Sequence, residues 1–192
     1  PQLLNLKKKK QFLFLGRINP IKNIHLLIEA YLKLPDDIKS VFKLKIVGEA
    51  KLKYEKKYKD DISQLVKDNN LINNIKFLGP KFGLDKEKIL SESYCLVLPS
   101  KSENFGNVII ESLSQKTPVI VSKYAPWKNV ETSNSGYCID TKIEDIKNKL
   151  IDIIGLNVEE YKIFQENALN LVSKNFDIKK NINIWEDYYE NV

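Results

Sequence analysis

The sequence predicts an α/β fold in which a mostly parallel, doubly wound sheet of about six strands carries helices on both faces. Short apolar runs alternate with amphipathic helical patterns along the chain, and several of these runs end at a glycine or a proline. Because two parallel neighbouring strands need a crossover connection, and the spacing between runs leaves room for a helix, the alternation favours a parallel sheet.

The first half of the chain predicts four strands with a helix after each of the first three. The strands cover residues 12–15, 42–47, 75–78 and 94–98. The first helix follows Asn23, a candidate N-cap, and its apolar residues recur at the i, i+3, i+4, i+7 spacing until the helix ends near Pro35. The second helix has a similar stripe up to Asn69, and we expect Asp85 to cap a short third helix.

The second half predicts a polar loop, a short helix, two further strands and a helical C-terminal region. Val108, Ile109 and Leu113 mark the short helix. The strands cover residues 119–122 and 137–139, and the later helices cover 142–154, 158–174 and 178–190.

Ligands of doubly wound sheets bind outside the carboxyl ends of the strands. Gly16, Gly48, Gly79 and Pro99 lie at such ends in the predicted sheet. We therefore expect the residues just after them to face one crevice.

Composition limits the class of protein. With 192 residues, 43% of them hydrophobic, the chain can bury one sizeable core, and we expect one domain. No stretch approaches the ~18 consecutive apolar residues of a membrane span. Cys95 and Cys138 fall inside predicted strands and are expected to be small buried hydrophobic residues, which favours a reducing, cytoplasmic compartment. A single histidine leaves a transition-metal site with too few ligands.

The net charge of +6 favours anionic partners, among them a nucleotide, nucleic acid or anionic lipid. Nucleic acid is not expected, because the sequence has no recognition helix, zinc finger or aromatic RNP-like pair. The one lysine run falls within residues 1–10, which we interpret as a linker remnant before a domain at 11–192. Since the sequence contains no methionine, we expect it to be a piece of a longer protein.

Residues 98–121 carry the most informative pattern, a strand, a loop, a helix and a strand. Glu103 lies in the loop, and Glu111 lies about two turns further along the helix. The first amides of that helix, from about Phe105 to Asn107, are expected to be free and to favour negative charge. The carboxylates suit hydroxyl groups, so the pattern predicts a ligand in which an anion is joined to a polyol.

Arg17 is the one arginine among 31 basic residues, and it directly follows a glycine that ends a strand. A guanidinium binds phosphate through two parallel hydrogen bonds, which a lysine cannot do. Lys22 lies five residues later and adds a point charge for the same anion.

The string Pro-Ser-x-x-Glu-x-Phe-Gly-x-x-x-x-Glu-Ser-Leu, followed by Pro-Val-Ile, resembles the Glu-x7-Glu signature of the group 1 glycosyltransferases. These are retaining enzymes that use sugar nucleotides and have two Rossmann-like domains in the GT-B arrangement. The resemblance covers the chain from Phe12 to about Glu190. It implies the C-terminal, donor-binding half of such an enzyme, with the N-terminal acceptor domain absent.

The resemblance also implies roles for individual residues. A nucleotide diphosphate sugar would be the donor, a glycan or lipid-linked molecule the acceptor, and no metal or other cofactor would be needed. Arg17 and Lys22 would neutralise the diphosphate, Glu111 would bind the ribose, and Glu103 would orient the transferred sugar. Arg17, Lys22 and Glu103 are thus the catalytic candidates. Further donor contacts would come from Gly48, Lys81, Asn104, Phe105, Gly106 and Asn107.

The sequence departs from the family pattern at Asn23, where a glycine usually follows the lysine, and at the turn after Gly48. The segment at residues 125–127 is similar to a variant in lipopolysaccharide and capsule enzymes, although we expect Trp127 to be a packed aromatic. His25 lies between the apolar Ile24 and Leu26 and is expected to be structural.

Two alternatives remain: a non-catalytic nucleotide-binding module, and a GT-B-type epimerase or phosphorylase. The second alternative calls for further catalytic carboxylates and histidines or a pyridoxal phosphate lysine, neither of which is evident. We expect a retaining hexosyltransferase in surface polysaccharide synthesis, inactive as an isolated fragment. The whole enzyme is expected in the cytoplasm. A peripheral position at the inner face of the membrane is the alternative.

Overall fold

The computed structural model describes residues 2–176 and contains one six-stranded sheet. The strands are β1 Gln11–Leu15, β2 Lys43–Val47, β3 Ile75–Phe77, β4 Cys95–Leu98, β5 Val119–Ser122 and β6 Gly136–Ile139. Their order across the sheet is β3-β2-β1-β4-β5-β6, and every neighbouring pair is parallel.

Helices cover both faces of this sheet. They are α1 Ile24–Leu32, α2 Asp36–Val41, α3 Lys53–Asp68, α4 Gly83–Glu92, α5 Asn107–Ser114, α6 Asn129–Thr132, α7 Ile143–Gly155 and α8 Val158–Asn175. α1 packs against α3 and α7, whereas α5 packs against α4 and α8. Because right-handed crossovers run in opposite directions from β1 and from β4, these two groups of helices lie on opposite faces.

The predicted α/β class, the six strands and the long helices are confirmed. Two short helices, α2 and α6, and a 3-10 helix at Pro20–Lys22 were not predicted, because they are too short to show a hydrophobic period. The prediction that Asp85 caps a helix was wrong: α4 already begins at Gly83, which places Asp85 in the first turn. The helix predicted at 178–190 lies outside the described residues.

The core runs through the central strands β1 and β4. Phe12, Leu13, Phe14, Leu96 and Val97 are completely buried, since helices cover the strands on both faces. β1 and β4 are also the neighbours between which the strand order reverses. In a doubly wound sheet this reversal opens a crevice at the carboxyl ends, so the loops after β1 and β4 face each other there.

The N-terminal segment expected to be a linker remnant lies against the domain. Gln115 fixes its first residues, because its Nε2 donates to the Gln2 carbonyl at 2.6 Å and its Oε1 accepts from the Leu4 amide at 3.0 Å. Lys8 follows with its ammonium hydrogen-bonded to the Gln115 carbonyl, at 3.1 Å, and to the hydroxyl of Thr117. Burial lowers the pKa of Lys8 to about 7.

This lysine makes stability depend on pH. Between about pH 7 and pH 10.5 the folded chain holds Lys8 neutral while the unfolded chain still binds its proton, so raising the pH favours folding. We expect the free energy of unfolding of the wild type, relative to Lys8→Met, to rise by up to about 1.4 kcal/mol per pH unit in this window. Urea denaturation of both proteins across the window measures it, and a difference independent of pH would contradict it.

Candidate functional site

Three strand ends meet closely at the carboxyl edge of the sheet. The Gly16 amide donates to the Val47 carbonyl at 3.0 Å, and the Gly48 amide donates to the Gly79 carbonyl at 3.0 Å. A Cβ atom on Gly48 would lie 1.8 Å from the Gly16 carbonyl oxygen. Only glycine therefore allows the ends of β1 and β2 to approach in this way.

Arg17 follows β1 and points to the crevice with its side chain 58% exposed. Its Nε lies 3.5 Å from Oε1 of Glu55, whose carboxylate is completely buried. Glu55 also accepts hydrogen bonds from Asn19 Nδ2, at 2.7 Å, and from the amides of Lys51 and Leu52, at 2.9 and 3.1 Å. The hydrogen bond from Asn19, followed by that from the Leu52 amide, lowers the pKa of Glu55. Ionised Glu55 thus holds the guanidinium at Nε, and the two terminal nitrogens remain available to an anion.

Sequence analysis missed Glu55. Its one signal is its place three residues into α3, where a carboxylate caps the free amides at the start of a helix. That signal predicts a cap and gives no hint that the same carboxylate reaches Arg17 across the crevice.

Lys22 and Glu103 form an ion pair across the crevice. Lys22 Nζ lies 2.6 Å from Glu103 Oε1, and the Ser100 hydroxyl donates to the same oxygen at 2.7 Å. The loops that carry them are tied together, because Asn23 Nδ2 donates to the Pro99 carbonyl at 3.1 Å. Asn23 has a φ of +51°, a left-handed conformation that asparagine tolerates well, which explains how it can stand where the pattern that the sequence resembles has a glycine.

The loop after β4 ends at Gly106, which begins α5 with a φ of +78°. The indole Nε1 of Trp127 donates to the Phe105 carbonyl at 2.5 Å, and Trp127 is buried, as expected for a packed aromatic. Within residues 2–176 the amides of Phe105, Gly106 and Asn107 donate to no carbonyl or side chain. The start of α5 therefore presents free N–H groups to the crevice.

Two cavities bring most of the predicted residues together. Cavity A, of about 390 Å³, is lined by Arg17, Lys22, Glu103, Asn104, Phe105, Gly106 and Asn107, together with Ile21 and Ser102. Cavity B, of about 380 Å³, is lined on its polar side by Arg17, Gly48, Glu49, Lys51, Lys81 and Lys86. Arg17 lines both cavities, so they adjoin each other at its side chain.

Glu111 does not line either cavity. It lies in a smaller cavity C, of about 260 Å³, with Lys86, whose Nζ is 2.6 Å from its Oε1. The two glutamates of the signature therefore do not share one cavity. Cavity B shares Arg17 with cavity A and Lys86 with cavity C. Lys86 was not predicted, because nothing in the sequence distinguishes it from the other lysines of the chain.

His25 takes a structural position. Its backbone amide donates to the Tyr58 hydroxyl at 3.0 Å, and its Nδ1 lies 2.9 Å from the same oxygen. Burial lowers the pKa of His25. The hydroxyl and Nδ1 share a hydrogen bond in which the donor depends on the tautomer of the imidazole.

Two absences hold for the part of the chain that the structure describes. Among residues 2–176, no three histidine, cysteine, aspartate or glutamate side chains come together to hold a metal ion. None of the helices in the same residues combines the length and the apolar character that crossing a membrane requires.

Comparison with known proteins gives a consistent result. Residues 1–171 match the family model of the glycosyl transferases group 1. An uncharacterized glycosyltransferase of Methanocaldococcus jannaschii is 27% identical over 190 residues, which are 96% of this chain and 46% of that protein. The O-antigen chain mannosyltransferase of Salmonella typhimurium is 32% identical over 132 residues, 68% of this chain and 35% of that protein.

The fold has close counterparts among solved structures. The Anabaena protein HepE, crystallised with UDP, matches 96% of this chain and 50% of its own length with a TM-score of 0.84 at 22% identity. This likeness shows the fold, a Rossmann-like α/β domain. The chain spans about half the length of the first of these relatives. On the match of residues 1–171 to the family model, this chain belongs to the group 1 glycosyltransferases.

Proposed function

We propose that this chain is the donor-binding half of a retaining hexosyltransferase, which moves a sugar from a nucleoside diphosphate sugar to a glycan or lipid-linked acceptor. The observation that carries the proposal is cavity A. There the outer edge of the Arg17 guanidinium, the ion pair of Lys22 and Glu103, and three unpaired amides face one space. These groups complement a diphosphate on one side and a sugar on the other.

The diphosphate is the leaving group of such a transfer. Arg17 offers a forked donor set, and Lys22 adds a second positive charge beside it. Donors already in place where negative charge develops lower the barrier for departure of the diphosphate. The two cations would take the part that a metal ion plays elsewhere, so we propose that no metal is needed.

The sugar is placed by Glu103. Its Oε1 receives both Lys22 and the Ser100 hydroxyl, which fixes the carboxylate at the wall of cavity A. A carboxylate held in this way accepts hydrogen bonds from sugar hydroxyls and orients the ring for transfer. Both contacts fall on Oε1, so within residues 2–176 Oε2 is left to accept a hydrogen bond from the sugar.

The nucleoside is assigned to cavities B and C. Gly48 and Lys81 line cavity B and would border the base, while Glu111 would accept hydrogen bonds from the ribose. Lys86 holds Glu111 in place at 2.6 Å and reaches both cavities, so we give it a positioning role for the ribose contact. The UDP bound to the Anabaena neighbour supports a nucleoside diphosphate as the ligand class.

Several features belong to the longer protein. The Salmonella relative is a mannosyltransferase of O-antigen chains, which supports a role in surface polysaccharide synthesis. A position in the cytoplasm or at the inner face of the membrane is part of our proposal. We propose that an acceptor-binding domain accompanies this chain, because the chain spans 46% of the length of the Methanocaldococcus relative. On its own, the chain would bind the donor without transferring the sugar.

A thermal-shift screen of nucleoside diphosphates and their sugars tests the proposal. A ligand at about 100 times its dissociation constant should stabilise the chain by ~2.7 kcal/mol, which raises Tm by roughly 5 to 10 °C. We expect the shift to persist in EDTA. Arg17→Lys keeps the charge but loses the fork, so it should reduce the shift for the diphosphate and for the sugar nucleotide alike. No shift with any nucleotide, or a shift that EDTA abolishes, would contradict the proposal.

A further inference from the structure

A second large cavity lies on the other side of Glu103. This cavity, which we call cavity D, has a volume of about 560 Å³. Glu103 and Asn104 line both cavity A and cavity D, and the remaining polar lining comes from Lys123, Tyr124, Lys128 and Asn129. A sugar held by Glu103 would therefore border cavity D directly.

The loop that forms cavity D is fixed in place. The Lys123 amide donates to the Ile139 carbonyl at 2.9 Å, the Tyr124 amide donates to the Ser122 hydroxyl at 3.1 Å, and the Trp127 amide donates to the Ala125 carbonyl at 2.8 Å. The bond from the Trp127 indole to the Phe105 carbonyl joins this loop to the loop that carries Glu103. Cavity D is thus preformed, and a ligand need not order it.

The charges of cavity D leave one cation unbalanced. Glu103 is paired with Lys22, and Lys123 is paired with Asp140. Lys128 is exposed, and its ammonium has no hydrogen-bond or ion-pair partner within residues 2–176. An anionic group entering cavity D would therefore meet a free ammonium.

The rest of the lining suits a sugar ring. Tyr124 is 54% exposed, and the Lys123 ammonium lies over its ring at 5.8 Å from the centroid, so about half of the residue's surface remains accessible to a ligand. Asn104 and Asn129 contribute amide groups that can both donate to and accept from hydroxyls. An aromatic face beside amides and one ammonium matches a saccharide that carries a negative charge.

We propose that cavity D is an acceptor subsite on this half of the enzyme, which binds an anionic saccharide through Lys128 and Tyr124. This inference rests on the proposed function, because it gives the acceptor a place next to the donor sugar. The negative charge can belong to a sugar phosphate or to a phosphate that links the glycan to a lipid.

Titrations of the chain saturated with UDP test the inference, because the proposed function assigns a nucleoside diphosphate to cavities A to C. Glucose 1-phosphate is the probe, with glucose and inorganic phosphate as its separate parts, and NMR spectra of the labelled chain locate the binding. We expect glucose 1-phosphate to bind at least about fivefold more tightly than either part and to shift the amide signals of Tyr124, Lys128 and Asn129.

The variants separate this inference from the proposed function. Lys128→Gln should weaken glucose 1-phosphate and inorganic phosphate by at least about fivefold, and Tyr124→Ala should weaken glucose 1-phosphate and glucose. Neither should alter UDP affinity. Lys162→Gln is the control, because it removes a lysine charge from α8. Lys162 follows Tyr161, which contacts Tyr94 just before β4, at the amino end of the strands. This variant should leave the affinities for all four ligands unchanged.

Unchanged binding of glucose 1-phosphate in both variants would overturn the inference while UDP binding upholds the proposed function. Inorganic phosphate that binds as tightly as glucose 1-phosphate would overturn the saccharide part. Competition with glucose 1-phosphate by dimethyl phosphate or by a lipid-linked phosphate diester would assign the negative charge to a linking phosphate. Competition by phosphate monoesters only would assign it to a sugar phosphate.

Discussion

Gly48→Ala is expected to lower the free energy of unfolding by roughly 3 kcal/mol. The new Cβ would lie 1.8 Å from the Gly16 carbonyl oxygen and 2.9 Å from its carbon, so two backbone segments would have to separate. The Gly48 φ of +151° adds strain for any residue with a side chain. Urea denaturation measures the loss, and nucleotide affinity should fall with it, since Gly48 lines cavity B.

Gly155→Ala is the matched control. Gly155 is the last residue of α7, and a Cβ there would meet nothing within 4 Å. We expect it to be neutral or to stabilise the chain by up to about 1 kcal/mol, because alanine loses less backbone freedom on folding. If Gly48→Ala were as stable as this control, the close approach of β1 and β2 would not exist.

Much of the fold could be predicted because its signals are local. Apolar strands that stop at Gly16, Gly48 and Gly79 predicted the parallel sheet, which is confirmed. The binding of a ligand at the carboxyl edge of that sheet stays a prediction. The helix after β3 was misplaced for a related reason. Asp85 is a residue type favoured at N-caps, but the chain turns into α4 two residues earlier at Gly83.

The candidate site could be predicted only where a motif carried it. Arg17, Lys22 and Glu103 were expected to act together, and the structure places all three in cavity A. The ion pair between Lys22 and Glu103 was not expected, because the two residues were assigned to different parts of the ligand. They lie 81 positions apart in the sequence. Such a contact depends on the order of strands, which no local pattern contains.

Lys86 and Glu55 illustrate the same limit. Each acts on a predicted residue from another element, Lys86 on Glu111 and Glu55 on Arg17. Lys86 is an ordinary residue of α4 until the packing of α4 on α5 brings it to Glu111. The residues that orient a site are therefore harder to predict than the residues that contact the ligand.

Glu103→Ala and Glu111→Ala are expected to differ in which ligand they weaken. Glu111 is assigned to the ribose, which both a nucleoside diphosphate and its sugar derivative contain. Its loss should weaken both by roughly 1 to 3 kcal/mol, about 5- to 150-fold, as for a lost hydrogen bond to a charged group. Glu103 is assigned to the sugar, so its loss should weaken the sugar nucleotide by a similar amount.

The bare diphosphate should bind Glu103→Ala as well as it binds the wild type. Removal of Glu103 releases Lys22, which is then free for the phosphates, so no loss of diphosphate affinity is expected. Asp152→Ala is the matched control, because it removes a carboxylate paired with Lys149 at 2.8 Å outside cavities A to D. It should leave both affinities unchanged.

The division of the donor between the two glutamates is tested most directly by titration calorimetry of the wild type and both variants, each with the diphosphate and with its sugar nucleotide. The predicted result is that Glu111→Ala weakens both ligands while Glu103→Ala weakens the sugar nucleotide alone. Two variants that lose affinity for both ligands to the same extent would contradict the assignment of Glu103 to the sugar and of Glu111 to the ribose.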